Sequence, residues 1–467
     1  MAKNSTAHRC TECGWTSARW VGRCNQCQSW GSMAPHSPAP AAVGAVRGAP
    51  TGPARPIRDV PLAEAASVPT GVAELDRVLG QGLVAGAVVL LAGEPGVGKS
   101  TLLLDVASRW AGTGRRTLYV SAEESAAQVR LRAGRIGALA DELYLAAETD
   151  LGAILAHIEQ TAPELLVLDS VQAVTVGGSD GVTGGVAQVR EVTNALVRVA
   201  KQRRLPVLLV GHVTKDGTVA GPRLLEHLVD VVLSFEGDRH SGLRLVRATK
   251  NRFGPADEVG CFEMIEDGIR EVADPSRLFA STRAEPMPGT ALTVSLEGRR
   301  PLLGEVQALV AGSAAQVPRR VTHGLDSGRV SVILAVLERK ARVRLHNKEA
   351  YVSTVGGARL IDPAADLAVG LAVASAAAEL AFHRPVIALG EVGLSGELRR
   401  VAGLERRLAE AKRLGFGVAL VPPGTGVSLP GVKIVEVATL EAAVDLLGLR
   451  PPKRRKPDGA HLRLAGG

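Results

Sequence analysis

One short run constrains the fold of this chain more than any other feature of its 467 residues. Residues 93–100 match the phosphate-loop pattern G-x-x-x-x-G-K-[ST] in full. An apolar run at Val88–Leu91 precedes the loop, and apolar residues at helical spacing follow it from Leu102 to Ala107. The pattern therefore predicts a strand, a loop and a helix in succession, as in an α/β domain built on a parallel sheet.

The phosphate loop predicts a nucleotide site. Glycines let successive backbone N–H groups curl around phosphate oxygens, and the N-terminus of the following helix adds a favourable dipole. Lys99 would reach the β- and γ-phosphates of ATP, and the Ser100 hydroxyl would ligate Mg²⁺. A chance glycine-rich turn is the competing interpretation, which the flanking strand and helix disfavour. The predicted ATP-binding residues are Gly93, Glu94, Pro95, Gly96, Val97, Gly98, Lys99, Ser100 and Thr101.

Two other predicted strands end in acidic residues. Leu165–Asp169 is an apolar run closed by an aspartate, and Asp169 could hold the water shell of the same Mg²⁺. Many buried strands end in Asp, which is the plainer interpretation. Glu123 follows the run Val120–Ala122 and could polarise the attacking water as a general base. The alternative is that Glu123 and Glu124 begin a helix, where acids interact favourably with the dipole.

Short β-branched runs alternate with helical patterns from Val68 to about Phe279. Alternation of this kind predicts a parallel sheet covered by helices. The predicted strands are Val88–Ala92, Thr117–Ser121, Leu165–Asp169, Pro206–Gly211, Val229–Phe235 and Leu243–Thr249.

Four of the five cysteines lie within residues 10–27, as two C-x-x-C pairs separated by ten residues. Two such pairs place four thiolates tetrahedrally, which suits structural Zn²⁺. The fifth cysteine, Cys261, is most simply a small buried hydrophobe. The predicted zinc ligands are Cys10, Cys13, Cys24 and Cys27.

The net charge of +8 is carried by the two ends of the chain. Residues 1–56 and residues 450–467 each hold six Lys and Arg against one acid, so the body between them is near neutral. Basic ends suit nucleic acid, although a solvated tail is the commoner meaning of a charge run. The first residues lack the apolar core of a signal peptide, and no uninterrupted apolar run of about 18 residues is present. We therefore expect a cytoplasmic protein without a membrane span.

Taken together, the motifs resemble one family. The phosphate loop, Ala122–Glu124, Gly211–Lys215 and above all the pentapeptide Lys250-Asn251-Arg252-Phe253-Gly254 are similar to the bacterial RadA (Sms) proteins, of which the pentapeptide is the hallmark. The resemblance covers nearly the whole chain. It implies an α/β fold: a RecA-like P-loop ATPase with an N-terminal zinc finger and a C-terminal Lon-protease-like α/β domain. The implied divisions are a four-cysteine zinc finger at 1–32, a linker at 33–56, the ATPase domain at 57–285, the Lon-like domain at 286–450 and a basic tail at 451–467.

The resemblance also implies catalytic roles beyond Glu123 and Asp169. His212 ends the Pro206–Gly211 strand, where RecA-like motors place a residue that senses the γ-phosphate; a histidine satisfied at a strand end is the alternative. Lys250 and Arg252 alternate by two, so both project from one face of a strand. They could reach the ATP of a neighbouring subunit, as arginine fingers do. The alternative for this pair is a solvated edge strand.

Two polar, glycine-bearing segments, 177–185 and 215–223, follow predicted strands. In RecA-like rings, loops at these places face the central channel and grip DNA. Lys215 and Arg223 could contact phosphates, which would give salt-dependent binding that is indifferent to sequence. Surface loops without a partner are the competing interpretation.

Residues from about Gly289 to Leu449 resemble the proteolytic domain of Lon. Lon-type proteolysis needs a serine nucleophile and a lysine that activates it. The resemblance puts Ala364 at the position of the serine and Glu405 at the position of the lysine. Neither residue can do that chemistry, so we expect a scaffold without peptidase activity.

The family resemblance implies a DNA-stimulated ATPase that extends or branch-migrates recombination intermediates during the response to DNA damage. The expected cofactors are ATP, Mg²⁺ and Zn²⁺. The expected partners are single-stranded and branched DNA, the RecA recombinase and further copies of the chain in a homohexamer. Two alternatives stay open: a KaiC-like regulatory ATPase without motor activity, and an ATP-dependent Lon-type protease, which Ala364 and Glu405 oppose.

Overall fold

A computed structural model describes residues 7–12, 15–17, 19–36, 56–59, 61, 66–177, 184–212, 225–237, 242–278, 287–355 and 359–450. The chain divides into two compact units, Met1–Leu62 and Ala63–Gly467. Within the described ranges, no helix is both long enough and apolar enough to cross a membrane.

The first unit is built on a small antiparallel sheet in the order β2-β1-β3, with strands at Ala7–Cys10 (β1), Thr16–Ser17 (β2) and Met33–His36 (β3). So small an apolar core cannot by itself offset the entropy lost on ordering the chain. Its described members are Cys10, Cys24 and Met33, with Trp15 and Val21 packed against them.

The end of the zinc finger lies further along the chain than the predicted residue 32. β3 pairs with β1 along its whole length, from Cys10 opposite Met33 to Ala7 opposite His36. The Pro/Ala-rich composition after residue 33 concealed this strand, because the pairing depends on backbone hydrogen bonds rather than on side chains. Residues 33–36 of the predicted linker thus belong to this sheet, and the other predicted domain boundaries stay predictions.

The first part of the second unit contains a nine-stranded sheet in the order β14-β13-β12-β11-β6-β10-β9-β7-β8. A separate two-stranded ribbon is formed by β4 and β5. The phosphate loop joins β6 to α2. The strands are Ser67–Val68 (β4), Leu83–Val84 (β5), Val88–Gly93 (β6), Thr117–Ser121 (β7), Leu143–Ala147 (β8), Leu165–Asp169 (β9), Val207–His212 (β10), Val231–Gly237 (β11), Leu243–Asn251 (β12), Val259–Ile265 (β13) and Gly268–Glu271 (β14). The helices are Ala73–Leu79 (α1), Lys99–Ala111 (α2), Ala126–Arg135 (α3), Leu151–Thr161 (α4) and Val186–Arg203 (α5).

The central strands β6 and β9 are buried at every residue, as expected for parallel strands covered on both faces. Apolar side chains of α1, α2 and α3 pack on one face of the sheet, and those of α4 and α5 pack on the other. This arrangement brings the carboxyl ends of the parallel strands to one edge of the sheet, where the phosphate loop lies.

The prediction of a parallel sheet is right for five of the six predicted strands and wrong for the last one; β8, which was not among the predicted strands, is also parallel. β11, β6, β10, β9, β7 and β8 are parallel, whereas β12, predicted as Leu243–Thr249, runs antiparallel to β11. The connection between them, residues 238–242, is too short for a helical crossover, so the chain must turn back on itself. β13 and β14 extend this antiparallel edge.

The rest of the second unit is an α/β domain around a seven-stranded mixed sheet in the order β17-β18-β16-β15-β19-β22-β23. The helix Asp366–Ala378 lies at the centre of the domain, since every residue from Asp366 to Ser375 is buried. The strands are Thr290–Glu297 (β15), Arg300–Gly312 (β16), Arg320–His323 (β17), Lys348–Thr354 (β18), Ile387–Ala388 (β19), Glu391–Val392 (β20), Leu398–Arg399 (β21), Val418–Val421 (β22) and Lys433–Glu436 (β23), with β20-β21 as a separate ribbon. The helices are Ser327–Arg339 (α6), Asp366–Ala378 (α7), Leu404–Arg413 (α8) and Leu440–Leu446 (α9).

Candidate nucleotide site and zinc site

Lys99 lies inside the curve of the phosphate loop. Its ammonium donates hydrogen bonds to the carbonyl oxygens of Gly93, at 2.9 Å, and Glu94, at 3.0 Å. Burial lowers the pKa of Lys99, and the nearby carboxylates of Asp169 and Glu123 oppose that shift. The N-cap of α2 is Gly98, which has no side chain to cap the first turn. The loop therefore combines a cation with a helix N-terminus, which suits phosphate oxygens.

Steric contacts explain why glycine occupies two positions of the phosphate loop. A Cβ at Gly93 would lie 2.4 Å from the carbonyl oxygen of Phe235 on the neighbouring strand. Gly98 adopts a φ of +110°, and its Cβ would meet the sulfur of Met264 at 3.0 Å. Side chains are excluded at both positions, which accounts for the first and last glycines of the pattern.

The predicted acids and His212 converge beside the loop. β10 lies between β6 and β9, and His212 is level with Gly93 in the register of the parallel pair. Asp169 is level with Ser121, two residues before Glu123. Because the carboxyl ends of parallel strands share one edge, residues far apart in sequence meet there.

A tyrosine holds Asp169. The carboxylate is buried, and the Tyr119 hydroxyl donates to its Oδ2 at 2.7 Å. Burial raises the pKa of Tyr119 well above its ordinary value, and the Asp169 charge adds to that shift. The phenol therefore stays protonated and acts as a permanent donor that orients the carboxylate.

Glu123 is held by two donors at the edge of the loop. Its Oε1 accepts hydrogen bonds from the hydroxyl of Ser170 and from Nε2 of His212, the latter at 3.0 Å. The hydrogen bond from His212 is the largest cause that lowers the pKa of Glu123 to about 2, and Ser170 and Lys99 lower it further against the effect of burial. Glu123 is therefore ionised throughout the neutral range and can orient and polarise a water molecule.

Glu124 has a different role from its neighbour. Its carboxylate pairs with the guanidinium of Arg132 on α3. Ser125 is the N-cap of that helix, in a capping box with Gln128. The helix-start interpretation of the two acids thus applies to Glu124, whereas Glu123 joins the site.

The two cations of the pentapeptide lie at the other end of the strands, away from the phosphate loop. The Arg252 N–H donates to the Asp230 carbonyl at 3.2 Å, and the Asp230 N–H donates to the Val88 carbonyl at 3.0 Å, so Arg252 is level with the first residue of β6. Arg252 Nη1 also lies 3.4 Å from Asp230 Oδ1. The Lys250 ammonium donates to the carbonyls of Val229, at 2.8 Å, and Glu226. Both cations contact residues 226–230, and their predicted catalytic role stays a prediction.

The sequence reasoning missed Tyr119, Ser170 and Asp230. Ser170 directly follows the predicted Asp169, and this position next to a predicted site residue could have indicated that Ser170 belongs to the site. Tyr119 lies in a predicted strand, but nothing local indicates which carboxylate its hydroxyl meets. Asp230 accepts hydrogen bonds from Lys201 Nζ at 2.6 Å and from the Val88 N–H at 3.0 Å. Those partners are distant in sequence and leave no local pattern.

Three predicted site residues, Cys13, Lys215 and Arg223, lie outside the described residues, as does most of the segment 177–185. Their roles stay predictions.

The other three cysteines form a cluster that fits Zn²⁺. The sulfurs of Cys10, Cys24 and Cys27 all lie within 4.8 Å of one another, and those of Cys10 and Cys27 are 3.6 Å apart. Tetrahedral Zn–S bonds place the sulfurs about 3.8 Å apart. The Gln26 N–H donates to the Cys24 sulfur at 3.4 Å, as expected for the turn of a metal knuckle that stabilises a thiolate.

The two residues compared with the Lon catalytic pair lie in different surroundings. Ala364 is fully buried in a 3-10 turn at Pro363–Ala365. Glu405 is exposed in the first turn of α8. The likeness of this domain to Lon stays a prediction.

The phosphate loop between a buried parallel strand and a helix, with acids at the neighbouring strand ends, defines the P-loop ATPase class. Residues 56–218 match the protein family described as "AAA domain", and residues 8–35 match the "Rubredoxin metal binding domain" family. Among solved structures, the ATPase domain of G40P aligns with 45% of this chain and 92% of its own, at a TM-score of 0.40 and 15% identity.

Relatives match nearly the whole chain. The DNA repair protein RadA of Mycolicibacterium smegmatis is 54% identical over 455 residues, which cover 96% of this chain and 97% of the relative. The protein of the same name from Halalkalibacterium halodurans is 42% identical over 453 residues, covering 96% of this chain and 99% of the relative. The chain belongs to the RadA family. The predicted family, the α/β P-loop ATPase domain and the N-terminal zinc module are thereby confirmed.

Proposed function

We propose that this chain is a DNA repair ATPase whose active site is completed by a neighbouring copy in a homohexameric ring. One observation carries the proposal: within one chain, the phosphate loop and the pentapeptide cations lie at opposite edges of the sheet. Arg252 is level with Val88, and the phosphate loop begins at Gly93. The five residues of strand between these two levels span about 17 Å. An arginine side chain at one edge does not reach a nucleotide at the other, so Arg252 would serve the nucleotide of an adjacent subunit.

The phosphate-loop edge supplies the groups that hydrolysis needs. In this proposal, Lys99 and the loop N–H groups hold the phosphates of ATP. Ser100 and Asp169 would hold Mg²⁺, which supplies charge neutralisation at the phosphate oxygens. Glu123 orients and polarises the attacking water.

His212 and the pentapeptide cations complete the proposed site. His212 donates to Glu123 and is the last residue of β10, three residues before Lys215. It is therefore well placed to relate the state of the γ-phosphate to Lys215. Lys250 and Arg252 of the adjacent subunit would stabilise the charge that develops in the transition state.

DNA is the proposed partner because the relatives that match the whole chain are named DNA repair proteins. The finer activity that we propose is the extension and branch migration of recombination intermediates on single-stranded and branched DNA, alongside the RecA recombinase. Phosphate contacts from Lys215 and Arg223 would make this binding salt-dependent.

The experiment that tests the proposal mixes two inactive variants. Lys99→Ala chains lack the phosphate-loop cation, and Arg252→Ala chains lack the proposed finger. Each should hydrolyse ATP poorly alone, while mixed rings should regain turnover, because some interfaces pair an intact Lys99 with an intact Arg252. Arg203→Ala is a matched control, since that exposed arginine at the end of α5 pairs only with Glu159 among the described acids. It should keep normal turnover.

Three results would point elsewhere. No recovery in rings that demonstrably exchange subunits would contradict action in trans. Turnover that single-stranded DNA leaves unchanged would favour a KaiC-like regulatory ATPase. Hydrolysis of peptides by the intact protein would favour a Lon-type protease, which Ala364 and Glu405 oppose.

A further inference from the structure

The turn between β15 and β16 enters the ATPase half of the second unit. We call residues Glu297–Arg300 the hairpin tip. The Arg300 side chain is only 7% exposed, and its Nη1 pairs with the carboxylate of Glu74 on α1. Nη1 also donates to the Val259 carbonyl at 3.1 Å, and Nη2 donates to the Ala273 carbonyl at 3.0 Å. An arginine from the C-terminal domain is thus satisfied by groups of the ATPase domain.

Glu74 is equally enclosed, with a side chain that is 4% exposed. Its Oε2 accepts a hydrogen bond from the Cys261 N–H at 2.9 Å, in addition to the pair with Arg300. A Cβ at Gly260 would lie 2.3 Å from the Glu74 carbonyl, so α1 packs directly on the backbone of β13. Glu74 also lies 3.6 Å from Arg77 on the same helix, but Arg77 is half-exposed, so Arg300 is the buried cation that stabilises this end of α1.

The other end of α1 holds the pentapeptide. The Asn251 side chain donates through Nδ2 to the carbonyls of Val78 and Leu79, both at 3.2 Å, and accepts the Phe253 N–H at 2.8 Å. These are last-turn carbonyls, which have no partner within their own helix. Asn251 therefore ties the backbone on both sides of Arg252 to the end of α1.

Two glycines make this contact possible. A Cβ at Gly254 would lie 3.2 Å from the Cα of Gly80, and Gly80 itself adopts a φ of +85° after the end of α1. The two backbones therefore touch. This packing explains the asparagine and the glycine of the pentapeptide. It does not explain the two cations, to which the proposed function assigns a role.

The rest of the hairpin tip surrounds the same region. Glu297 pairs with Arg247 of β12 at 2.9 Å, and the Arg299 N–H donates to the Asp257 carbonyl at 2.7 Å. A Cβ at Gly298 would lie 2.1 Å from that same carbonyl. Asp257 follows the pentapeptide by three residues. The tip thus contacts the strand before the pentapeptide, the loop after it and the helix beneath it.

We infer that the hairpin tip of the C-terminal domain positions Arg252 for its action in the adjacent subunit, with Arg300 and Asn251 as positioning residues. The inference rests on the proposed function of Arg252. The path runs from Arg300 through Glu74 and α1 to Asn251. A disturbance of the C-terminal domain would then reach the ATP of a neighbour without altering the phosphate loop of its own chain.

The test uses the full-length double variant Glu74→Gln/Arg300→Met, here the tip variant. It removes both members of the buried pair, so no carboxylate is left buried without a cation, and the glutamine can still accept the Cys261 N–H. We expect kcat to fall by about tenfold or more and KM for ATP to change by less than about twofold, because the phosphate loop is untouched. The matched control is Asp274→Asn/Arg413→Met, which removes another ion pair between the two halves, at 2.8 Å, together with the contact of Arg413 to Glu410 within α8. The control should retain wild-type turnover.

Mixing experiments distinguish a misplaced finger from other defects. The tip variant has an intact phosphate loop and a misplaced Arg252, so Lys99→Ala chains, which have an intact finger, should restore its turnover. Arg252→Ala chains should not restore it, because no interface would then contain a placed finger. The pair Lys99→Ala with Arg252→Ala is run alongside as the reference.

The opposite pattern overturns the inference. If Arg252→Ala chains rescue the tip variant, or Lys99→Ala chains do not while the reference pair recovers, Arg300 does not act through the finger. If the reference pair itself fails to recover, the proposed function is wrong and the inference falls with it. Should the tip variant not fold, Arg247→Met/Glu297→Gln, which removes a less buried pair between the tip and β12, is judged by the same mixing and the same criteria, and Asn251→Ser tests only the pentapeptide end of the path.

Discussion

Glu123 and Glu124 are neighbours in sequence whose surroundings give them different chemistry. Glu123 accepts from His212 and Ser170 beside the phosphate loop, whereas Glu124 pairs with Arg132 on α3. The pKa of Glu123 is lowered to about 2, chiefly by the hydrogen bond from His212. A lowered pKa means that the charged form is favoured in the folded protein. Its contribution to stability is therefore present above the unfolded pKa and is lost as the pH falls toward 2.

This contrast yields a prediction with a built-in control. Glu123→Gln should lower kcat by about 100-fold or more, the usual effect of losing a general base, while nucleotide affinity stays near normal. Glu124→Gln should leave kcat within about twofold, because it removes only a contact to a helix. Both can be measured by single-turnover hydrolysis together with nucleotide binding. The Glu123→Gln defect should be constant from about pH 5 upward, since Glu123 is already ionised there. Equal losses of kcat in the two variants would contradict a specific role of Glu123 in hydrolysis.

At the scale of elements, the three-stranded sheet of the first unit is notable for how little apolar surface it encloses. Cys10 and Cys24 are themselves two of its buried residues. A sheet of this size gains its stability from the metal rather than from burial, so metal binding and folding are one equilibrium. The ATPase sheet has large buried clusters on both faces and needs no such support.

Removing the metal should therefore unfold one unit and spare the other. Chelation should release one Zn²⁺ per chain and unfold residues 1–36, while the thermal transition of the ATPase domain is unchanged. Metal content, near-UV circular dichroism and calorimetry together would measure this. Cys10→Ser and Cys24→Ser should lose the ion. Cys261→Ala is the control that should keep it, because burial raises the pKa of that thiol to about 11 and places it far from thiolate chemistry. A full equivalent of zinc in Cys24→Ser protein would contradict the four-thiolate site.

At the scale of the whole molecule, a buried ion pair in the second unit joins α1 of the ATPase domain to β16 of the C-terminal domain. Arg300 and Glu74 are 226 positions apart in sequence, yet each is nearly inaccessible to solvent. Leaving one member of such a pair alone typically costs about 3–5 kcal/mol. A chain cut between the sheets would suffer that penalty in addition to losing whatever the C-terminal domain does.

We predict that the C-terminal domain stabilises the proposed hexamer and the proposed DNA binding, and that it has no peptidase activity. The chain ending at Glu285 and carrying Glu74→Gln, which avoids the buried charge, should still bind ATP but form fewer hexamers and bind DNA more weakly. Light scattering measures the mass directly. The full-length tip variant is the control and should remain hexameric, since it keeps the domain. Truncated hexamers as stable as those of the full chain would remove the scaffold role.

How much of this could be predicted from the sequence varies with the range of the interaction. The phosphate loop, the strand-ending Asp169 and the cysteine pairs could be recognised because their geometry is contained in a few consecutive residues. The alternation of strands and helices likewise indicated the α/β class, and the pentapeptide indicated the family. The antiparallel direction of β12 does not follow from its β-branched run, because such a run indicates a strand but not the direction of that strand, which depends on the length of the connection after β11.

The sequence by itself determined which chemical groups this protein has and that a phosphate-binding loop and a zinc module are among them, because local spacing specifies such backbone shapes. Only the tertiary structure decided which acid joins the loop, what holds Asp169, and that Arg252 lies at the far edge of the sheet. It alone joined Arg300 to Glu74. The physical reason is that strand order, register and the partners of buried charges depend on contacts between distant segments, and no local propensity encodes those contacts.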